Sequence, residues 1–102
     1  MIKLKSTVKH ANLVILAAAA NAWEMLQLPG DLWVTSGNDS KHMAGSKHFS
    51  NEALDFRTKS LSTDQKHNWK EAIQARLGSK YQCILEFENQ ANEHLHCEYD
   101  PL

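Results

Sequence analysis

Apolar and polar positions alternate along this chain with two periods, and the switches between them divide it into six predicted elements. In the first segment Val8, Ala11, Ile15, Ala18, Ala22 and Leu26 recur at spacings of three and four, with Ser6 or Thr7 placed to cap the helix they predict. Leu28-Pro29-Gly30-Asp31 ends that pattern, because the residue before a proline avoids helical backbone and Gly supplies a turn. Leu32-Trp33-Val34-Thr35 follows as a short buried strand, and residues 38–47 form a polar, turn-rich loop without periodicity.

Ala53-Leu54-Asp55-Phe56-Arg57 alternates with a period of two, sending Ala53, Asp55 and Arg57 to one face and Leu54 with Phe56 to the other. Ser62 with Gln65 makes a capping box for a second helix, whose apolar stripe is Trp69, Ala72, Ile73 and Leu77 and which Gly78 ends. Residues 81–88 predict a third strand with Tyr81, Cys83, Leu85 and Phe87 on its apolar side. Residues 89–92 are a polar turn, and residues 94–99 the last strand. The expectation is a single α+β domain over residues 1–102, a small, mainly antiparallel sheet packed with two main helices.

Composition narrows the class. A net charge of -1 over 102 residues gives no electrostatic case for nucleic acid or an anionic membrane. Cys83 and Cys97 are too few for a disulfide framework and read as reduced core residues on strands. Lys3, Lys5 and Lys9 before residues 13–20 imitate a secretory signal, but the amphipathic helix is the better reading, and the apolar run is too short to span a bilayer.

The chemistry collects in two places. His48 is followed seven residues later by Asp55, and far downstream His96 is preceded by Glu93 at a spacing of three. Two imidazoles, a carboxylate ligand and a second carboxylate as base are the parts of an open catalytic zinc site. In the last strand the period of two places His94, His96 and Glu98 on one face, opposite Leu95, Cys97 and Tyr99. Polar groups of that kind must be solvated, hydrogen-bonded or metal-bound.

The stretches Ser46-Lys47-His48-Phe49-Ser50-Asn51-Glu52-Ala53-Leu54-Asp55 and Glu93-His94-Leu95-His96 resemble the S-x-H-x-x-G-x-A-x-D and E-x-x-H motifs of the D-Ala-D-Ala carboxypeptidase, L-Ala-D-Glu endolysin and hedgehog-like zinc peptidases. Asn51 stands at the motif's Gly and is the residue type that best replaces it in left-handed backbone. The resemblance implies one zinc ion held by His48, Asp55 and His96, with His94 competing for the ligand role or serving as a hydrogen-bond donor. It implies Glu93 as the general base and acid, with Glu98, Glu86 and Glu88 as rivals. Ser36-Gly37 is followed by Asn38-Asp39 where the family has a carboxylate-clamping Arg, so Arg57, Lys41 and Lys47 are the cations near the site; Ser46 and His42 are further candidates for substrate contact. The implied activity is hydrolysis of an amide bond in peptidoglycan stem peptides by a monomeric enzyme, kept in the producing cell's cytoplasm or released to the wall by lysis, as in compact phage enzymes. The alternative is a zinc-stabilised binding domain of the same fold without catalysis.

Overall fold

The computed structural model describes residues 2–3, 12–36 and 53–101. In chain order these form β1 (Ile2–Lys3), α1 (Leu13–Met25), β2 (Leu32–Ser36), β3 (Ala53–Arg57), α2 (Thr63–Leu77), β4 (Tyr81–Glu86) and β5 (His94–Tyr99). The sheet order is β1-β2-β3-β5-β4; β1 runs parallel to β2, and the other four strands pair antiparallel. Two helices and a four-stranded antiparallel sheet make an α+β fold, as the apolar pattern predicts. The caps Ser6 and Thr7, with Val8 and Ala11, lie outside the described residues.

One face of the sheet is the core. Leu32, Val34, Leu54, Phe56, Cys83, Leu95 and Cys97 are buried there with Ile15, Ala19, Ala22 and Trp23 of α1 and Trp69 and Ile73 of α2. Small residues on α1 let α2 approach, and the Trp69 indole N–H donates to the Ala19 carbonyl at 3.0 Å. The Trp69 ring meets Trp23 edge-on at 4.9 Å and Phe56 at 5.4 Å, so one side chain joins both helices and the sheet. Cys83 and Cys97 are opposite each other in the β4–β5 register, buried as free thiols; Cys83 and burial together push the Cys97 thiol up. No helix among the described residues is long and apolar enough to cross a membrane.

The capping box is formed: the Gln65 N–H donates to Ser62 Oγ at 3.1 Å, and the Ser62 N–H donates to Gln65 Oε1 at 2.8 Å. Ser62→Ala should lower stability by about 1 kcal/mol in urea denaturation; no measurable change would mean that the cap is not formed in solution. Gln74 then fixes α2 to β4, accepting from the Cys83 N–H at 2.9 Å and donating to the Tyr81 carbonyl at 2.8 Å. β4 stops at Glu86, two residues before the expected end. Phe87 takes a positive φ of 54° and is exposed, so it belongs to the turn and not to the apolar face.

Candidate metal centre on the polar sheet face

The face of the sheet away from the helices carries the chemistry. The register sets Asp55 opposite His96 and Arg57 opposite His94 across β3 and β5, and Glu86 opposite His94 across β4 and β5. Side chains directly opposite on one face meet, and diagonal neighbours remain within reach of long side chains. Asp55, Glu86 and His94 each offer a ligand atom, all within 4.8 Å of one another, and this group is compatible with a metal ion.

The orientation of the His94 ring is compatible with that group. Its Nδ1 lies 3.0 Å from the Asn92 carbonyl, which can only accept, so Nδ1 carries the proton and Nε2 faces the carboxylates. Nε2 is 2.9 Å from Glu86 Oε1 and 3.9 Å from Asp55 Oδ1. A backbone carbonyl holding one ring nitrogen so that the other meets a metal is a recurrent arrangement in metal sites. Burial works against the charged ring, but the Asn92 carbonyl and the carboxylates of Asp55 and Glu86 outweigh it and hold His94 above the usual histidine range. Such a ring takes a proton when no cation is there to replace it.

His96 makes a second, tighter contact with the same aspartate. Its Nδ1 is 2.6 Å from Asp55 Oδ1 and its Nε2 is 2.8 Å from Glu98 Oε1. Burial again opposes the charged ring, yet the two carboxylates push His96 up to about 9. Asp55 is therefore the common point of the cluster, flanked by both β5 histidines.

Glu93 borders the same open groove of about 330 Å³, which Thr35, Asp55, Arg57, Lys59 and His94 also line. Its carboxylate is occupied, however: Oε2 accepts from Lys66 Nζ and from the Asn89 N–H, each at 2.7 Å, and Oε1 accepts from the Thr58 hydroxyl. Burial raises its pKa, but the hydrogen bonds from Lys66, Thr58 and Asn89 prevail and hold it below the ordinary glutamate range. Arg57, which lines the groove, lies over the Trp33 ring, 5.0 Å from its centroid.

The structure thus brings Asp55, His94, His96, Glu93 and Arg57 of the sequence-derived site onto or beside one surface. Lys41, His42, Ser46, Lys47 and His48 lie outside the described residues. Glu86, expected as a solvated edge charge or a rival base, joins the metal-compatible group. The sequence carries a signal for it: with Cys83 and Leu85 as markers of the core, alternation sends Glu86 to the far face, and a short β4–β5 turn brings it opposite His94.

The chain matches no family model, no curated protein and no solved structure.

Proposed function

We propose that the chain is a zinc-dependent hydrolase of amide bonds in peptidoglycan stem peptides, with Asp55 as the central metal ligand. The observation that carries this reading is the Asp55 carboxylate flanked by two histidines and Glu86 on an open polar sheet face. Carboxylate oxygen with imidazole nitrogen is a donor set that suits zinc. Zinc bound there supplies Lewis acidity toward an amide carbonyl and makes water a better nucleophile at neutral pH.

Two donor sets share Asp55. In the first, His94 provides the nitrogen, and Asp55 and Glu86 provide the carboxylate oxygens. The second set is His48, Asp55 and His96, as the motif resemblance implies. The contacts of His94 support the first: its ring is already tied through Nδ1 and presents Nε2, whereas His96 engages a carboxylate at each nitrogen. Arg57, opposite His94 in the register, and Lys59 line the same groove and offer positive charge to a substrate carboxylate.

Asp55→Ala should abolish stoichiometric zinc, read by metal analysis after gel filtration. His94→Gln and Glu86→Gln each remove a donor and should each weaken zinc by at least ~10-fold. Loss of zinc in His96→Gln with retention in His94→Gln would return the nitrogen to His96. The activity itself is tested by incubating zinc-loaded protein with purified peptidoglycan and weighing the released fragments. The second reading is a zinc-stabilised binding domain, favoured by the occupied oxygens of Glu93. Stoichiometric zinc with no fragment released selects it; no zinc at all rejects both.

A further inference from the structure

The β4–β5 connection joins two residues of the candidate metal centre, Glu86 at the end of β4 and His94 at the start of β5. It is an unusual turn to hold its own shape, because Phe87 and Asn89 both adopt left-handed backbone, with φ of 54° and 66°. A bulky residue rarely does so unless its surroundings impose it. Within the turn the Gln90 N–H donates to the Phe87 carbonyl and the Glu93 N–H to the Gln90 carbonyl, each at 3.0 Å. Two carboxylates add further restraint: Glu88 Oε2 lies 2.7 Å from His67 Nε2 on α2, and Glu93 gathers donors from three segments.

Glu93 accepts from Asn89 inside the turn, from Thr58 just beyond β3, and from Lys66 on α2, and Lys66 also donates to Asn89 Oδ1 at 3.2 Å. Only 7% of the Lys66 side chain and 9% of the Glu93 side chain are exposed. A buried ion pair is poor evidence of stabilisation in itself, because desolvation offsets much of the attraction. What such a pair with extra hydrogen bonds can do is fix geometry. Here it ties Thr58, just after the strand that carries Asp55, and Lys66 of α2 to the turn that joins Glu86 to His94. Asn92, whose carbonyl orients the His94 ring, is the residue before Glu93.

We infer that Glu93 is a positioning residue, a buried strut tied to Asn89 and Thr58 that holds His94 and Glu86 against Asp55 with Lys66 as its counter-charge, and that Glu93 is not the group that transfers the proton. This rests on the zinc site proposed above, and the test separates the two.

The decisive comparison is Glu93→Gln against the double variant Lys66→Met/Glu93→Gln. The single change leaves a buried ammonium without its counter-charge, so the melting temperature falls and zinc affinity, read by competition with a chromogenic chelator, weakens by ~10- to 100-fold. The double variant removes both charges, while the carboxamide that replaces the carboxylate can still satisfy the Asn89 N–H and the Thr58 hydroxyl. It should recover melting temperature, zinc affinity and wall-peptide hydrolysis together. A double variant that is stable and zinc-loaded but inactive, beside an active wild type, makes Glu93 the base and overturns the inference. A single variant with a lowered melting temperature and unchanged zinc affinity overturns it too, leaving the pair a purely structural one. If Glu93→Gln does not fold, Thr58→Val keeps the ion pair and removes one tie. It should weaken zinc while the protein stays folded, and unchanged affinity there rejects the strut. If the wild type cleaves no stem peptide, the hydrolase reading fails, but zinc affinity and melting temperature still decide the positioning role.

Discussion

Trp69→Ala should destabilise the protein by about 3–5 kcal/mol, a large share of the stability of a domain of this size. Trp69 is fully buried, meets Trp23 and Phe56 edge-on, and ties α2 to α1 through the Ala19 carbonyl. Truncation removes the apolar contact with both helices and the sheet at once and leaves a cavity that three elements would have to close. Trp69→Phe keeps most of the ring contact and loses the indole N–H, so its cost should be closer to about 1 kcal/mol. Urea denaturation of the two variants checks the pair. A Trp69→Ala cost below that of Trp69→Phe would contradict the packing of both helices on one sheet face. Because the polar face is held in register from behind by this core, Trp69→Ala should also loosen the zinc binding proposed for that face.

The parts of this fold that follow a strict period are the parts legible from the residues. Ala53–Arg57 and His94–Tyr99 alternate so regularly that the assignment of Asp55, His94, His96 and Glu98 to one face and Leu54, Phe56, Leu95 and Cys97 to the other survives in the register of β3 with β5. Ser62 and Gln65 announce the start of α2 through a local hydrogen-bond exchange that needs no tertiary information. Phe87 departs from its expected face for the opposite reason. It continues the alternation of β4, but a left-handed turn overrides the pattern and exposes the ring. β1 is two residues long, too short for any period to appear.

At the site, alternation locates side chains on a face but does not say how they pair. The Glu-x-x-His spacing sets Glu93 near the histidines and gives it the proton, whereas the partner that occupies it, Lys66, comes from α2, 27 residues earlier in the chain. A trace of that partner exists in the sequence: Lys66, Trp69 and Ile73 are spaced by three and four, so the lysine falls on the buried stripe of its helix. A charged residue on such a stripe needs a counter-charge, and Glu93 is the one the turn delivers.

The metal-free protein should lose stability as pH rises from about 6.5 to about 9. His96 lies between Asp55 and Glu98, with one ring nitrogen on each carboxylate, and only the doubly protonated ring can donate to both. Its pKa in the folded chain is pushed up to about 9, above the unfolded value, so the folded state binds the proton more tightly. The sign follows from linkage: the contribution is fully present below the unfolded pKa, declines through the window, and is gone above the folded one. A shift of this size corresponds to on the order of 3 kcal/mol, and His94, also held upward, acts in the same direction. Urea denaturation in the presence of a chelator, at intervals from about pH 6 to about pH 9.5, reads the effect. His96→Gln should flatten most of the slope, and a wild-type profile that is already flat would sink the prediction. Zinc at the proposed site would reverse the dependence, because a cation on Asp55 would compete with the protons held by its neighbouring histidines. Across the window in which the metal-free fold weakens, zinc affinity should therefore rise, so the loaded protein should keep its stability at a pH where the metal-free form has lost this contribution.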